Sequence, residues 1–235
     1  MAFIDTTNDW DFEATKVREG FEEKFGVFKT VITDAYGTES KGGDNSKGGA
    51  KYVNLEFELI DPETGEVLGK QNKQFYLTSG IEKGQKTTYT YKDKNNKEHT
   101  KKLPAWYQLG SIVAAIECLD TKDEHQKEKI KEILNRWLNE IVETQKDVFG
   151  EKRTVAAMPN FIKKPFYVAF TKKWDDYNED WKAEFSEARC ENIGKDELEE
   201  FIEKTNKAIA KAKIPKKKKE KKELSKEKKE KISSW

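Results

Sequence analysis

From Lys24 to Tyr36 the apolar positions Phe25, Val27, Phe28, Val31 and Ala35 sit among β-branched residues. This pattern predicts a long strand, bulged near Gly26. Gly37 to Ala50 carries four further glycines, Gly42, Gly43, Gly48 and Gly49, and reads as a flexible loop. Alternation resumes from Lys51 to Ile60, with Val53, Leu55, Phe57 and Leu59 on one side. Asp61-Pro-Glu-Thr-Gly65 predicts a hairpin turn, because Pro presets φ and Gly supplies a positive φ. Glu66 to Thr78 is then the return strand.

Thr78 to Trp106 predicts another hairpin, and Leu103-Pro104 ends it. The period then changes to three and four. Trp106 to Leu119 predicts a helix through Leu109, Ile112, Val113 and Ile116. Asp120 to Val148 has the strongest helical period, through Ile130, Ile133, Leu134, Trp137, Leu138, Ile141 and Val142. Its apolar face is read first as packing against the sheet, with a contact between copies in a homo-oligomer as the alternative. Strand character returns over Glu151–Met158 and Phe166–Trp174, and weakly over Trp181–Cys190. A helix capped by Asp196 runs to Ile214 through Leu198, Phe201, Ile202 and Ile209.

Sheet, helical connection, sheet resumed is the order of a five-stranded Greek-key barrel of the OB-fold type. The expected organisation is a lead-in over 1–23 and a mainly β OB-fold domain over 24–193. That domain carries a helical insertion at about 106–148. A C-terminal helix over 194–214 and a basic low-complexity tail over 215–235 follow. In such a barrel the Gly37–Ala50 loop borders the nucleic-acid groove.

Charge changes the picture locally. The chain of 235 residues is 38% charged and carries a net +1. The tail holds ten Lys against four Glu, a net +6, which leaves −5 for the rest. Any polyanion site on the body is therefore a patch. Thr78–Trp106 is such a patch: seven lysines face three acidic residues, a local +4, with Tyr89, Tyr91, Trp106 and the adjoining Tyr107 beside them. Lysines neutralise phosphates, and flat rings stack on unpaired bases. An ordinary solvated hairpin with Tyr89 and Tyr91 on its core face is the competing reading.

Five segments, taken in order, resemble the phage single-stranded DNA-binding proteins with an OB-fold. They are Ser46-Lys-Gly-Gly-Ala-Lys-Tyr-Val-Asn-Leu-Glu-Phe57, Phe75-Tyr-Leu-Thr-Ser-Gly-Ile-Glu-Lys-Gly84, Tyr89-Thr-Tyr-Lys-Asp93, Leu103-Pro104 and Lys164-Pro-Phe-Tyr-Val-Ala-Phe170. The resemblance spans about residues 24–190. It implies non-catalytic, sequence-independent coating of single-stranded DNA in phage DNA replication or recombination, in the cytoplasm of an infected bacterial host. Recruitment of a phage RNA polymerase to exposed template is a variant of the same activity. In many single-strand binders an acidic tail ending in an aromatic recruits partner proteins; this tail ends in Trp235 but is basic.

The residues expected to contact nucleic acid are Lys41, Lys47, Lys51, Lys83, Lys86 and Lys101 for phosphates, and Tyr52, Tyr89, Tyr91 and Trp106 for bases. Trp235 is the expected partner contact. No catalytic residue, metal or cofactor is assigned. His99, His125, Cys118 and Cys190 lack metal-ligand spacing, and the cysteines are expected to be free thiols in a reducing cytoplasm. Asp175-Asp176 reads as a solvated turn rather than a nuclease metal pair. The rivals of other classes are a metal-dependent nuclease and an interaction protein that binds no nucleic acid. No secretion signal and no membrane span is expected.

Overall fold

The computed structural model describes residues 23–42, 47–148, 150–176 and 178–214. The lead-in up to residue 22, the tail and Trp235 lie outside the described residues. What is described is mainly β with three helices. Strands β1 (Gly26–Glu39), β2 (Lys51–Ile60) and β3 (Val67–Tyr76) form an antiparallel meander. A hairpin of β4 (Thr88–Lys92) and β5 (Glu98–Lys102) follows. Then come α1 (Pro104–Glu117), α2 (Glu124–Asn139), the hairpin β6 (Val142–Val148) and β7 (Glu151–Ala157), the hairpin β8 (Phe166–Asp175) and β9 (Asp180–Cys190), and α3 (Lys195–Lys211).

Strand β1 organises the main sheet. One edge pairs with β2 from Lys29 to Glu39. The other edge is divided: Gly26–Thr30 pairs with β8, and Tyr36–Gly37 pairs with β7. The bulge lies between Ile32 and Asp34 rather than near Gly26. There the Thr33 hydroxyl is 2.6 Å from a Glu56 carboxylate oxygen. The extra residue increases the local twist, which lets one strand serve two partners.

Val53, Leu55, Phe57 and Leu59 are fully buried on the inner face of β2, as their alternation requires. They meet Phe166, Val168 and Phe170 from β8 and Leu109, Ile112, Val113 and Ile116 from α1 in one core. The sheet does not close on itself: β3 and β9 are not hydrogen-bonded to each other. Helix α1 fills the gap between them. Gln108 Nε2 donates to the Phe185 carbonyl (3.3 Å), and the Ala188 N–H donates to Ser111 Oγ (3.2 Å), both on β9. Trp106 Nε1 donates to the Leu77 carbonyl just after β3, at 3.0 Å. Glu23 spans the same gap, accepting from Lys73 on β3 (3.1 Å) and from the Ala183 N–H on β9 (2.9 Å).

The expected helix over Asp120–Val148 stops at Asn139. Ile130, Ile133, Leu134 and Trp137 are buried as the period requires, while Ile141 and Val142 are exposed. Beyond Glu140 the β-branched residues Val142, Thr144 and Val148 pair with β7 around Gly150, whose φ is 79°. Local β preference and a turn glycine override a helical period that continues in sequence. Trp181–Cys190 is a full strand. Helix α3 is capped at Gly194, with Asp196 inside its first turn, where a carboxylate complements the helix dipole. Cys118 and Cys190 form a disulfide joining the C-terminal end of α1 to the end of β9, which corrects the free-thiol expectation. Chain separation of 72 residues hid a pair whose Cα atoms are 5.0 Å apart. Among the described residues, no helix is long and apolar enough to cross a membrane.

Candidate nucleic-acid interface

The β1–β2 loop is docked onto the segment after β3. Gly49 N–H donates to the Ser40 carbonyl (2.8 Å) and Ile81 N–H to the Gly48 carbonyl (3.0 Å). Gln85 Nε2 donates to the Gly49 carbonyl at 2.6 Å. Gly49 has φ +73°, and a Cβ there would lie 2.3 Å from Ile81 Cγ1, so only glycine fits this approach. Lys51 N–H donates to Thr78 Oγ1 at 2.8 Å. Ser79 and Lys86 exchange hydrogen bonds at 2.9 Å. Lys47, Lys51, Lys83 and Lys86 are thereby brought together on one exposed rim, although 39 residues separate the first from the last.

The β4–β5 hairpin rises from this rim. Its register sets Tyr89 opposite Lys101 and Tyr91 opposite His99, so all four side chains share one face. The Tyr89 and Tyr91 rings are 5.9 Å apart, and Tyr91 stacks on His99 at 5.4 Å. His99 Nε2 is 2.9 Å from Asp93 Oδ2, which fixes the imidazole from the turn side. Hydrogen bonds from His99 and from the Lys97 and Asn95 N–H groups hold the Asp93 carboxyl below its usual range. Lys101 Nζ lies 5.4 Å from the Tyr91 ring centroid. A hydrogen bond with the Tyr91 hydroxyl raises the Lys101 pKa, with smaller contributions from Tyr89 and Tyr107. The ammonium therefore stays charged beside the Tyr91 ring.

This face is not a core face. Tyr89 is 40% exposed, and the hairpin forms its own two-stranded sheet away from the main one. Among the described residues, Lys47, Lys51, Lys83, Lys86, Lys92, Lys94, Lys97, Lys101 and Lys102 form no carboxylate salt bridge, whereas Lys41 pairs with Glu151. Rings in a row beside ammonium groups with no carboxylate partner among the described residues can accept stacked planar groups and the anions attached to them.

One of the expected contacts is corrected. Tyr52 is 2% exposed, packed under Tyr76 at 5.3 Å, so its ring has no face for a base. Position 52 falls on the outer side of β2, where the neighbouring Tyr76 ring lies against it. Trp106 is half-buried: its N–H is bonded to Leu77, Lys102 Nζ lies 4.7 Å from its ring centroid, and it lines a groove between α1 and α2. The open rings missed from the expected set are Tyr107, 62% exposed, and Tyr76, 43% exposed. Parity gave a signal for Tyr76: with Phe75 in the core, its neighbour on the strand must point outward. His99, which carries no metal-ligand spacing, supports Tyr91 by stacking on it while held by Asp93.

No protein-family model, no curated protein and no solved structure matches this chain.

Proposed function

We propose that this protein binds single-stranded DNA without sequence preference and performs no chemistry on it. The observation that carries this reading is the solvent-facing side of Tyr89, Tyr91, His99 and Lys101, set among lysines that have no carboxylate partner among the described residues. Bases stack on the tyrosines, and phosphates follow the rim of Lys47, Lys51, Lys83 and Lys86. A duplex keeps its base faces inside the helix, so the stacking part of this site selects separated strands.

The strand path supports the reading at a coarser level. Meander β1–β2–β3, helix α1, and hairpin β8–β9 returning to β1 follow the order of an OB-type Greek key, with α1 in place of the closing hydrogen bonds and β6–β7 as an inserted hairpin. Together with the order of the five short segments, this favours a role in phage DNA replication or recombination.

The test is a titration of labelled oligo-dT, duplex DNA and RNA of the same length, at two salt concentrations, with and without magnesium. The reading requires dT affinity that falls steeply with salt, weaker duplex binding, and intact oligonucleotide at the end. Salt-insensitive or absent dT binding sinks it, and magnesium-dependent cleavage replaces it with a nuclease.

A further inference from the structure

Beside the hairpin base lies a groove of about 310 Å³ between α1 and α2, lined by Lys102, Trp106, Tyr107, Lys131, Leu134 and Asn135. That is the small end of the range for ligand pockets and suits one planar group better than a folded partner. Its floor is apolar, made by the Trp106 and Leu134 side chains. No acidic residue lines it, and Lys102 and Lys131 each contribute an ammonium. Lys131 also pairs with Glu128 on the surface of α2 at 2.5 Å, whereas Lys102 Nζ donates to the Thr87 hydroxyl at 3.3 Å and, among the described residues, has no carboxylate partner. Asn135 is exposed, and its amide offers both donors and an acceptor to the edge of a base. An apolar floor between two cations, with one amide for an edge, is complementary to an aromatic group carrying phosphates.

The groove adjoins the base of the hairpin, where Lys102 lies on the face opposite Lys101. Lys101 bonds Tyr91 and lies within electrostatic reach of Tyr89 and Tyr107. Tyr107, the most exposed aromatic ring among the described residues, follows Trp106 at the groove's edge. Lys101 on one face of the hairpin base and Lys102 on the other place an ammonium on each side of the passage from the hairpin to Tyr107.

We propose that this α1–α2 groove takes one further nucleotide of the bound single strand, its base stacked on Tyr107 and its phosphates between Lys102 and Lys131. This rests on the single-strand reading above and extends the footprint beyond the hairpin. It also assigns α2 to nucleic acid rather than to a contact between copies.

The experiment is an affinity series against oligo-dT of increasing length, for the full chain, Tyr107→Ala, Asn135→Ala and Tyr89→Ala. Both groove side chains are exposed, so their removal leaves the core intact, and circular dichroism checks this. The full chain should gain affinity at one length step that Tyr107→Ala lacks. The shortest binding oligomers should be unaffected by Tyr107→Ala, while longer ones lose about 5- to 150-fold, the worth of one stacked base. Asn135→Ala should reduce the same step. Tyr89→Ala should weaken every length. Identical length series for the full chain and Tyr107→Ala would overturn the groove assignment while leaving the hairpin site standing. No binding by the full chain at any length would instead remove the functional reading on which it depends. An acidic peptide that displaces dT from the full chain but not from Tyr107→Ala would show that the groove serves a protein partner, and would overturn the proposal too.

Discussion

Tyr91 and His99 stack across the β4–β5 hairpin with ring planes 23° apart. The imidazole is held by Asp93, so it backs the tyrosine from a fixed position. Tyr91→Ala should weaken oligo-dT binding by about 1–3 kcal/mol, as loss of a stacking ring does. His99→Ala should weaken it less, because the base still has Tyr91 but the ring is no longer backed. Equal losses for the two variants, measured by anisotropy, would show that His99 itself meets the base.

The Gly49 approach to Ile81 joins the two loops that carry the lysine rim. Gly49→Ala places a Cβ in Ile81 and a non-glycine residue at φ +73°. It should lower stability by about 1–3 kcal/mol, read from denaturant midpoints. It should also reduce dT affinity, since Lys47 and Lys83 lose their fixed separation. The double variant Gly49→Ala with Ile81→Ala should recover part of the stability, because the clash is gone and only the backbone strain remains.

Phosphate contacts show as salt dependence. For single strands the slope of log affinity against log salt is about −0.7 per phosphate neutralised. Lys86→Ala and Lys101→Ala should each reduce the slope by about that amount and leave base preference unchanged. Lys41→Ala should change it less, because that ammonium is already paired with Glu151.

The Cys118–Cys190 bond ties α1 to β9, the strand whose edge α1 covers. Replacing both cysteines with serine should lower stability by about 2–4 kcal/mol, through greater freedom of the unfolded chain. Reductant should lower the denaturation midpoint of the native chain to that of the variant. A midpoint unmoved by reductant would show that the bond does not form in solution.

Tyr36 lies in a small cluster with Val148 and Val155, and burial, ahead of nearby Tyr52, Asp34 and Glu56, pushes its phenol up to about 12. A free phenol titrates near 10. The folded state thus holds this proton more tightly than the unfolded one. Its contribution to stability is full below about pH 10 and is lost as pH rises toward about 12. Tyr36→Phe should flatten the fall of stability over that interval and remove the last component of the tyrosinate absorbance titration.

The alternation of Val53, Leu55, Phe57 and Leu59, the Pro-Glu-Thr-Gly turn and the period through Leu109 and Ile116 fixed strands, hairpins and helices locally, since each pattern records which side of an element meets water. The patch of lysines and tyrosines was equally plain, because composition survives any folding. Three matters needed the fold. Asn139 ends α2 although the apolar period runs on, because β6 gains hydrogen bonds from β7 that the sequence does not display. Tyr52 and Tyr76 carry the same side chain, and only the pairing of β2 with β3 decides which ring is covered. Cys118 and Cys190 meet because α1 lies along β9, a contact between segments far apart in the chain. Local chemistry is written residue by residue, whereas burial and proximity depend on what every other segment places nearby, and that is decided only when the sheet wraps around α1.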